Sequence, residues 1–355
     1  MAEAGPVTGN PSEGLGLREA AAEAKIEVET GSGGMPVLEV RGLTKRFSVG
    51  TVGRRRTVPA LNRLDLKLSR GEVLGLVGES GSGKTTFARG ISFLDPPTAG
   101  EIFLEGNRLP LRPRPRELHR YRSRVQMIFQ DPYASLDRLH TVYRTLVQPL
   151  RSFGVMVRGQ ERQATEELLE QVGLVPARDF LDRYPYELSG GQRQRVGIAR
   201  ALAVQPLLIL ADEPTSMLDV SIRLTIMNLL LDLQRTRSLS LVFITHDLAG
   251  ANYVSDRIAI LYAGHMLEVG PASDVMREPR HPYTQLLRQA APDPQGGFRR
   301  GERFDSSGEP PDLTDLPPGC PFVPRCPFAK DVCHGDLPGW REVGPNHRVR
   351  CVLYD

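Results

Sequence analysis

"EVLGLVGESGSGKT", residues 72–85, joins an apolar run to a turn that is rich in glycine. The glycines of the segment GESGSG let backbone N–H groups approach an anion, because no side chain stands in the way. Lys84 is placed to neutralise the β- and γ-phosphates of a nucleotide, and Thr85 is placed to ligate Mg²⁺. A helix that begins here points the positive end of its dipole at the same anion. The stretch therefore predicts a strand, a phosphate-binding loop and a helix in succession.

A second segment supplies paired carboxylates. "LLILADEP", residues 207–214, is an apolar run that ends in Asp212 and Glu213. Asp212, at the carboxyl end of the predicted strand, is placed to hold Mg²⁺ directly or through water. Glu213 follows where a base for the attacking water is needed. Taken alone, such a pair is more typical of the start of a helix. Together with the phosphate loop, it favours a catalytic function.

A third segment predicts another anion site. In "ELSGGQRQRVGIARAL", residues 187–202, Ser189 and two glycines stand at the entrance of an apolar-periodic helix. Free N–H groups and a hydroxyl then point the same way. By spacing alone, an ordinary capped helix start is the better interpretation. One nucleotide does not need two such sites.

The remaining segments indicate the fold class. "RVQMIFQ" (124–130) and "SLVFITHD" (240–247) are typical of buried strands, whereas "ERQATEELLEQVG" (161–173) and "SIRLTIMNLLLDLQRTR" (221–237) are helical patterns. Buried apolar strands separated by amphipathic helices predict an α/β fold with a mainly parallel sheet. "HPYTQLLRQAAP", from residue 281, predicts one last helix.

Composition limits the class of function. The 355 residues are 40% hydrophobic, and the net charge of +3 is too small to indicate a nucleic-acid partner. No stretch reaches the ~18 consecutive apolar residues of a membrane span. The first residues lack a basic segment followed by an apolar one, so they are not a secretory signal. We therefore expect a cytoplasmic protein, with residues 1–34 as a disordered tail.

One stretch is strongly basic. "RLPLRPRPRELHRYRSR", residues 108–124, carries seven arginines and one glutamate. Such a run is typical of a solvated face, and the sharper alternative is a surface that meets phospholipid headgroups or an acidic partner. Its three prolines predict a loop in either case.

These segments together resemble the ATP-binding subunit of an ABC transporter, a family whose signature sequence is LSGGQ. The motifs follow in the family's order over residues 36–268. The resemblance implies an ABC-type ATPase domain over residues 35–268, with a mixed, mainly parallel sheet and a helical subdomain that carries the signature. The residues that match its nucleotide-contacting motifs are Phe47, Gly78, Ser80, Gly81, Gly83, Lys84, Thr85, Thr86, Gln130, Ser189, Gly190, Gly191, Gln192, Asp212 and Asp219.

The resemblance also implies roles for single residues. Phe47 lies where an aromatic ring stacks on adenine, although a lone Phe is more often a core residue. The implied ligands of Mg²⁺ are Thr85, Gln130 and Asp212. The implied catalytic residues are Lys84, Gln130, Glu213 and His246. A lone His at a strand end is more often a polar cap, and only the complete set favours a γ-phosphate contact.

The same resemblance explains the two anion sites. In the family, two ATPase domains pack head to tail, so that each ATP lies between the phosphate loop of one and the signature helix of the other. The implied partners are a second ATPase subunit (a paralogue or a second copy), two transmembrane permease subunits and an extracellular solute-binding protein. The implied location is peripheral, on the cytoplasmic face of the cell membrane.

The C-terminal part narrows the family. "MREPRHPYTQLL" (276–287) and "GEPPDLTDLPPGCPFVPRCPFA" (308–329) resemble the C-terminal extension of oligopeptide and dipeptide importers, here residues 269–355. This implies an ATPase that powers peptide import. The alternatives are an importer of nickel or glutathione, from the same group, and a non-transport ABC ATPase. The last typically carries a long coiled-coil insertion or two ATPase domains, and neither is present in the sequence.

The four cysteines are all in this extension. They are Cys320, Cys326, Cys333 and Cys351, spaced C-x5-C-x6-C-x17-C. Thiolates in a cytosolic segment that is poor in apolar residues predict a soft metal centre, without choosing between Zn²⁺ and iron–sulfur. The resemblance implies a [4Fe–4S] cluster. Free buried thiols are the structural alternative, and His334 and His347 are possible substitute ligands.

Overall fold

Two sheets carry the fold of residues 35–50, 56–155, 159–290 and 311–355, the residues that the computed structural model describes. The predicted N-terminal tail lies outside these residues, and Pro36–Asp355 form one compact unit. The strands are β1 (Leu38–Val49), β2 (Arg56–Leu68), β3 (Val73–Val77), β4 (Ala99–Leu104), β5 (Asn107–Leu109), β6 (Val125–Ile128), β7 (Leu208–Asp212), β8 (Ser240–Thr245), β9 (Arg257–Tyr262), β10 (His265–Pro271), β11 (Arg341–Gly344) and β12 (His347–Val349).

The helices of the same ranges connect and cover these strands. The α-helices are α1 (Lys84–Ile91), α2 (Pro115–Arg124), α3 (Pro132–Ser135), α4 (Val142–Ser152), α5 (Glu161–Gln171), α6 (Arg178–Leu181), α7 (Gly190–Leu202), α8 (Val220–Arg237), α9 (Leu248–Val254), α10 (Ala272–Arg277) and α11 (Pro282–Ala290). Short 3₁₀ turns occupy Pro185–Glu187, Val323–Arg325, Asp331–His334 and Val352–Tyr354.

The larger sheet is mixed. Its order is β11-β12-β10-β9-β3-β8-β7-β6, and the five strands from β9 to β6 are parallel to one another. Strands β10, β12 and β11 continue the sheet with antiparallel pairing. Strands β3, β7 and β8 are buried along their whole length, as strands covered on both faces must be. The predicted α/β class with a mixed, mainly parallel sheet is confirmed.

The smaller sheet and the helices α4, α5 and α7 pack on opposite sides of the parallel strands. The four-stranded antiparallel sheet, in the order β2-β1-β4-β5, shares a core with β3 and α1. On the other side, α4, α5 and α7 pack against one another and share a second core with β7, β8 and α8. Helix α7 and strand β7 therefore share one core, which fixes the start of α7 relative to the end of β7.

The prolines of the arginine-rich stretch predicted a loop, but the structure does not form a continuous loop there. Pro115 is the first residue of α2, where a missing N–H costs nothing, and Glu117 caps that helix by accepting the N–H of Arg114. Two of the arginines are paired: Arg108 with Glu101, and Arg124 with Glu105. Part of the basic charge is therefore neutralised within the chain.

The C-terminal extension is not a segment without a core. Strand β12 pairs with β10 and so adds the extension to the large sheet. Phe322 and Val323 join a third apolar core with Tyr262 of β9 and Tyr283 of α11. The sequence argument was wrong on this point because it counted the apolar residues of the extension alone, whereas the extension packs on apolar residues of the ATPase part.

Candidate nucleotide-binding site

The predicted phosphate loop lies between β3 and α1. Gly81 and Gly83 have φ angles of 79° and 107°, a region in which a residue with a Cβ is strained. Gly78 is required for a different reason, because a Cβ there would overlap the carbonyl oxygen of Leu261. No side chain caps the start of α1. The N–H groups of its first turn therefore have no side-chain acceptor, which suits an anion.

Lys84 points back into this loop. Its Nζ donates to the carbonyl oxygens of Gly78 and Glu79, at 2.7 and 2.8 Å. Burial lowers the pKa of Lys84, and the nearby carboxylates of Glu213, Asp212 and Glu79 oppose that shift. The backbone of the predicted phosphate loop thus fixes the position of the Lys84 ammonium group.

Thr85 and Asp212, both predicted ligands of Mg²⁺, lie next to each other. Thr85 Oγ1 donates to Asp212 Oδ1 at 3.1 Å, so the hydroxyl and the carboxylate lie at one point between α1 and the end of β7. Burial raises the pKa of Asp212, because few water molecules reach the carboxylate. A hydroxyl and a carboxylate oxygen are ligands that suit Mg²⁺, so these residues fit the predicted ion.

Glu213 lies beside two of the other predicted catalytic side chains, Gln130 and His246. Gln130 Nε2 donates to Glu213 Oε2 at 3.0 Å, and His246 Nδ1 lies 3.3 Å from Glu213 Oε1. The three residues follow β6, β7 and β8, and the carboxyl ends of adjacent parallel strands meet at one edge of a sheet. Glu213 has a φ of 42°, a conformation that a non-glycine residue adopts only when its surroundings impose it.

The signature segment forms the start of α7. The Ser189 hydroxyl accepts the N–H of Gln192 at 3.3 Å, and the Ser189 N–H donates to Gln192 Oε1 at 2.9 Å. This is a reciprocal capping box. In the single chain, the signature segment therefore forms the ordinary capped helix start that its spacing alone favoured. Gly191 lies against Ile222 of α8, since a Cβ there would be 2.9 Å from that side chain. Gly190 lies in the same first turn of α7.

Four further predicted residues lie at the borders of the site. Phe47 lies on β1, is 36% exposed and has Lys45 Nζ 5.0 Å from its ring centroid. It is therefore not the core residue of the alternative interpretation. Asp219 is the N-cap residue of α8, without a side-chain cap bond. Ser80 is exposed in the phosphate loop, and Thr86 lies half-buried in the first turn of α1.

Comparison with known proteins gives the family. The profile of the family described as "ABC transporter" matches residues 61–216, and that of "Oligopeptide/dipeptide transporter, C-terminal region" matches residues 267–333. A Brucella ovis protein with the provisional name peptide import ATP-binding protein is 44% identical over 317 residues, which are 89% of this chain and 98% of the relative. The chain belongs to the ABC transporter family. The oligopeptide transport ATP-binding protein AppF of Bacillus subtilis is 40% identical over 323 residues, 90% of this chain and 97% of AppF.

Solved structures of ABC transporter ATPases have the same fold. The ATP-binding cassette MJ0796, in a dimeric post-hydrolysis state bound to ADP and phosphate, superposes with a TM-score of 0.59. It is 32% identical, and the match covers 66% of this chain and 98% of MJ0796. The protein cbiO1 of Clostridium perfringens gives the same TM-score at 25% identity, over 72% of this chain and 96% of cbiO1. The chain is therefore an ABC transporter ATPase, and ATP is its nucleotide.

The predicted metal centre of this ABC transporter ATPase is wrong. Among the described residues, no group of three or more His, Cys, Asp or Glu side chains is arranged to hold a metal ion. Cys320, Cys333 and Cys351 are buried free cysteines, and Cys326 is half-buried. The predicted [4Fe–4S] cluster and the Zn²⁺ alternative therefore do not apply to these cysteines.

The physical reason is that the thiols are buried in an apolar setting. Burial raises the pKa of Cys320 to about 12 and that of Cys351 to about 11, and it also raises the pKa of Cys326. At neutral pH these thiols therefore keep their protons and are uncharged, which is the state of free buried thiols. Of the substitute ligands, His347 Nε2 is 2.7 Å from the buried carboxylate of Glu268, and His334 is exposed. The structural alternative, free buried thiols, describes the site.

Sequence reasoning missed a contact between the extension and the phosphate loop. Arg325 forms an ion pair with Glu79, and the Glu79 N–H donates to Tyr283 Oη. The segments that contain Arg325 and Tyr283 drew attention only as markers of the family. No signal in the sequence pairs them with Glu79, which is 246 residues before Arg325.

No helix in the described parts of the chain is long and apolar enough to cross a membrane.

Proposed function

We propose that this ABC transporter ATPase powers the import of oligopeptides or dipeptides. The observation that carries the proposal is the second matched region: residues 267–333 match the oligopeptide/dipeptide transporter C-terminal region. The relatives that match over about nine-tenths of the chain have names that describe peptide import or oligopeptide transport.

The geometry supports a division of roles around ATP. Lys84, held by two loop carbonyls, neutralises the β- and γ-phosphates. Thr85, Asp212 and Gln130 are the residues that would hold Mg²⁺, which supplies charge neutralisation on the phosphate oxygens.

Glu213 is the base in this proposal. Its Oε1 and Oε2 are oriented by His246 and Gln130, and one of them takes a proton from the water that attacks the γ-phosphate. His246 lies within reach of the same carboxylate and is placed to contact the γ-phosphate. The bond that breaks joins the γ-phosphorus to the bridging oxygen, and ADP leaves.

The second half of the site comes from another subunit. Within the chain, Ser189 and Gln192 are hydrogen-bonded to each other. We propose that the segment Ser189 to Gln192, with Asp219 nearby, faces the ATP of a second ATPase subunit, either a second copy or a paralogue. ATP then joins two subunits, and its hydrolysis releases them. Two transmembrane permeases convert this motion into transport, on the cytoplasmic face of the membrane, with solute delivered by an extracellular binding protein.

Cells that carry the Glu213→Gln variant in place of the native chain test the proposal. The carboxamide keeps the shape of the side chain but is not a base, so uptake of a labelled tripeptide should fall by ~10²-fold or more, while the purified variant still binds ATP. Glu170→Gln, an exposed glutamate on α5, is the matched control and should transport normally. Loss of nickel or glutathione uptake with unchanged tripeptide uptake would refute peptide import.

A further inference from the structure

The acidic residue inside the phosphate loop forms an ion pair with the C-terminal extension. Glu79 directly follows Gly78, and its two carboxylate oxygens face one guanidinium. Arg325 Nη1 lies 2.7 Å from Glu79 Oε2, and Arg325 Nη2 lies 3.0 Å from Glu79 Oε1. Two parallel N–H to oxygen bonds fix the relative orientation of both groups. The Arg325 side chain is only 8% exposed, so water screens this pair less than it screens an ordinary surface pair.

The backbone of Glu79 is held from the same side. Its N–H donates to Tyr283 Oη at 2.7 Å. The Tyr283 ring is fully buried, with its centroid 4.4 Å from that of Tyr262 and 5.4 Å from that of Phe322. Tyr262 Oη in turn accepts from Arg325 Nη1 at 3.3 Å. The main chain of Glu79 is therefore held by Tyr283 of this aromatic group, and its side chain by Arg325, which itself bonds to Tyr262.

Glu79 is directly coupled to Lys84. The Glu79 carbonyl oxygen accepts from Lys84 Nζ at 2.8 Å, so a shift of Glu79 moves one of the two anchors of that ammonium group. The Glu79 carboxylate also places a negative charge in a loop that must receive phosphates. Arg325 supplies the opposite charge at hydrogen-bond distance, which offsets the repulsion.

We propose that Arg325 is a positioning residue for ATP binding. Through Glu79 it holds the phosphate loop in the shape that receives the nucleotide, and it compensates the negative charge beside the phosphate site. The C-terminal extension thereby sets the affinity of the ATPase for ATP. The inference rests on the proposed phosphate-binding role of the loop that contains Lys84.

Arg325→Ala is the first test, made on the full chain with ATP as the probe. Its dissociation constant and KM for ATP should rise about tenfold, because a charged, partly buried hydrogen-bonded pair is lost. The kcat should change by less than about twofold, since the contact acts on bound ATP and transition state alike. Arg325→Lys should restore part of the affinity, because it returns the charge without the bidentate geometry.

A second substitution separates charge compensation from general loosening. In the Arg325→Ala background, Glu79→Gln removes the uncompensated charge, so ATP affinity should recover by about threefold or more. A purely structural role predicts no recovery. Arg341→Ala is the matched control, because Arg341 forms an exposed ion pair with Asp355 in the same extension, and it should leave the KM for ATP unchanged.

Native ATP affinity in Arg325→Ala, or a double variant no better than Arg325→Ala, overturns the inference. Thermal unfolding establishes that each variant is folded. Where Arg325→Ala is not folded, native affinity in Arg325→Gln, which removes the charge but keeps much of the side-chain volume, overturns the inference instead. Lys84→Ala separates this result from the proposed site. If Lys84→Ala loses ATP binding while Arg325→Ala binds ATP normally, only the role of Arg325 is refuted. If Lys84→Ala still binds ATP, the phosphate site itself is refuted.

Discussion

Phe322 is the residue that most directly tests how the C-terminal extension is held. Its side chain is fully buried, and its ring centroid lies 5.4 Å from those of Tyr262 and Tyr283. The Arg325 guanidinium carbon is 5.6 Å from the same centroid. Replacing a buried Phe with Ala removes its apolar contacts and leaves a cavity, which costs about 3–5 kcal/mol. Phe322→Ala should therefore lower the free energy of unfolding by about 4 kcal/mol.

The assay is urea denaturation without nucleotide, followed by tryptophan fluorescence. The chain has a single tryptophan, Trp340, which lies in the extension beneath the guanidinium groups of Arg348 and Arg350. Its emission therefore reports unfolding of the extension. Phe328→Ala is the matched control, since Phe328 lies in the same segment but is 48% exposed; it should cost less than about 1 kcal/mol.

The same urea denaturation can also refute the prediction that aromatic packing holds the extension. Because the extension is held by side-chain packing and by the pairing of β12 with β10, a metal chelator should not move the unfolding midpoint of the native chain. A loss below about 1 kcal/mol in Phe322→Ala, or a midpoint that falls when the chelator is added, would show that the aromatic packing does not hold the extension.

Two further predictions concern the signature segment and the cysteines. Ser189→Ala removes the acceptor for the Gln192 N–H and should cost about 1 kcal/mol in stability. It should also slow ATP hydrolysis by about tenfold through the lost hydroxyl on the γ-phosphate, with ATP binding to one subunit unchanged; native hydrolysis rates would contradict that role. For Cys320, burial raises the pKa from 9.0 to about 12, so the folded state retains the thiol proton that the unfolded state loses. The resulting stabilisation is complete below pH 9 and is lost as the pH rises towards 12. Iodoacetamide labelling at mildly alkaline pH should therefore be far slower in the folded chain than in urea, and equal rates would contradict this burial.

Much of the nucleotide site was predictable because its residues follow strands that are adjacent in the sheet. Asp212, Glu213 and His246 each stand just after a run that is apolar throughout, which is typical of buried parallel strands. Such strands end at one edge, so their polar ends converge. Gly81 and Gly83 were predictable for a related reason: an anion-binding turn needs backbone that only glycine forms without strain. The close approach of the Leu261 carbonyl to Gly78 was visible only in the structure.

The extension was not predictable in the same way. Its apolar residues are too few to form a core of their own, and that count led to the wrong expectation of a metal. The partners of Phe322 are Tyr262 and Tyr283, which are 60 and 39 residues away along the chain. The periodicity of a segment shows which face of its helix or strand is apolar, but it does not show which distant part of the chain packs against that face.

The sequence by itself therefore determined the α/β class, the order of the nucleotide motifs and the family, because each depends on local spacing along one strand or loop. Only the tertiary structure decided that the cysteines lie as free thiols, three of them buried and Cys326 half-buried, rather than as a metal centre. It alone also brought Arg325 to Glu79, across 246 residues of chain. Both outcomes depend on which surfaces exclude water together, and burial is a property of the packed molecule and not of any segment.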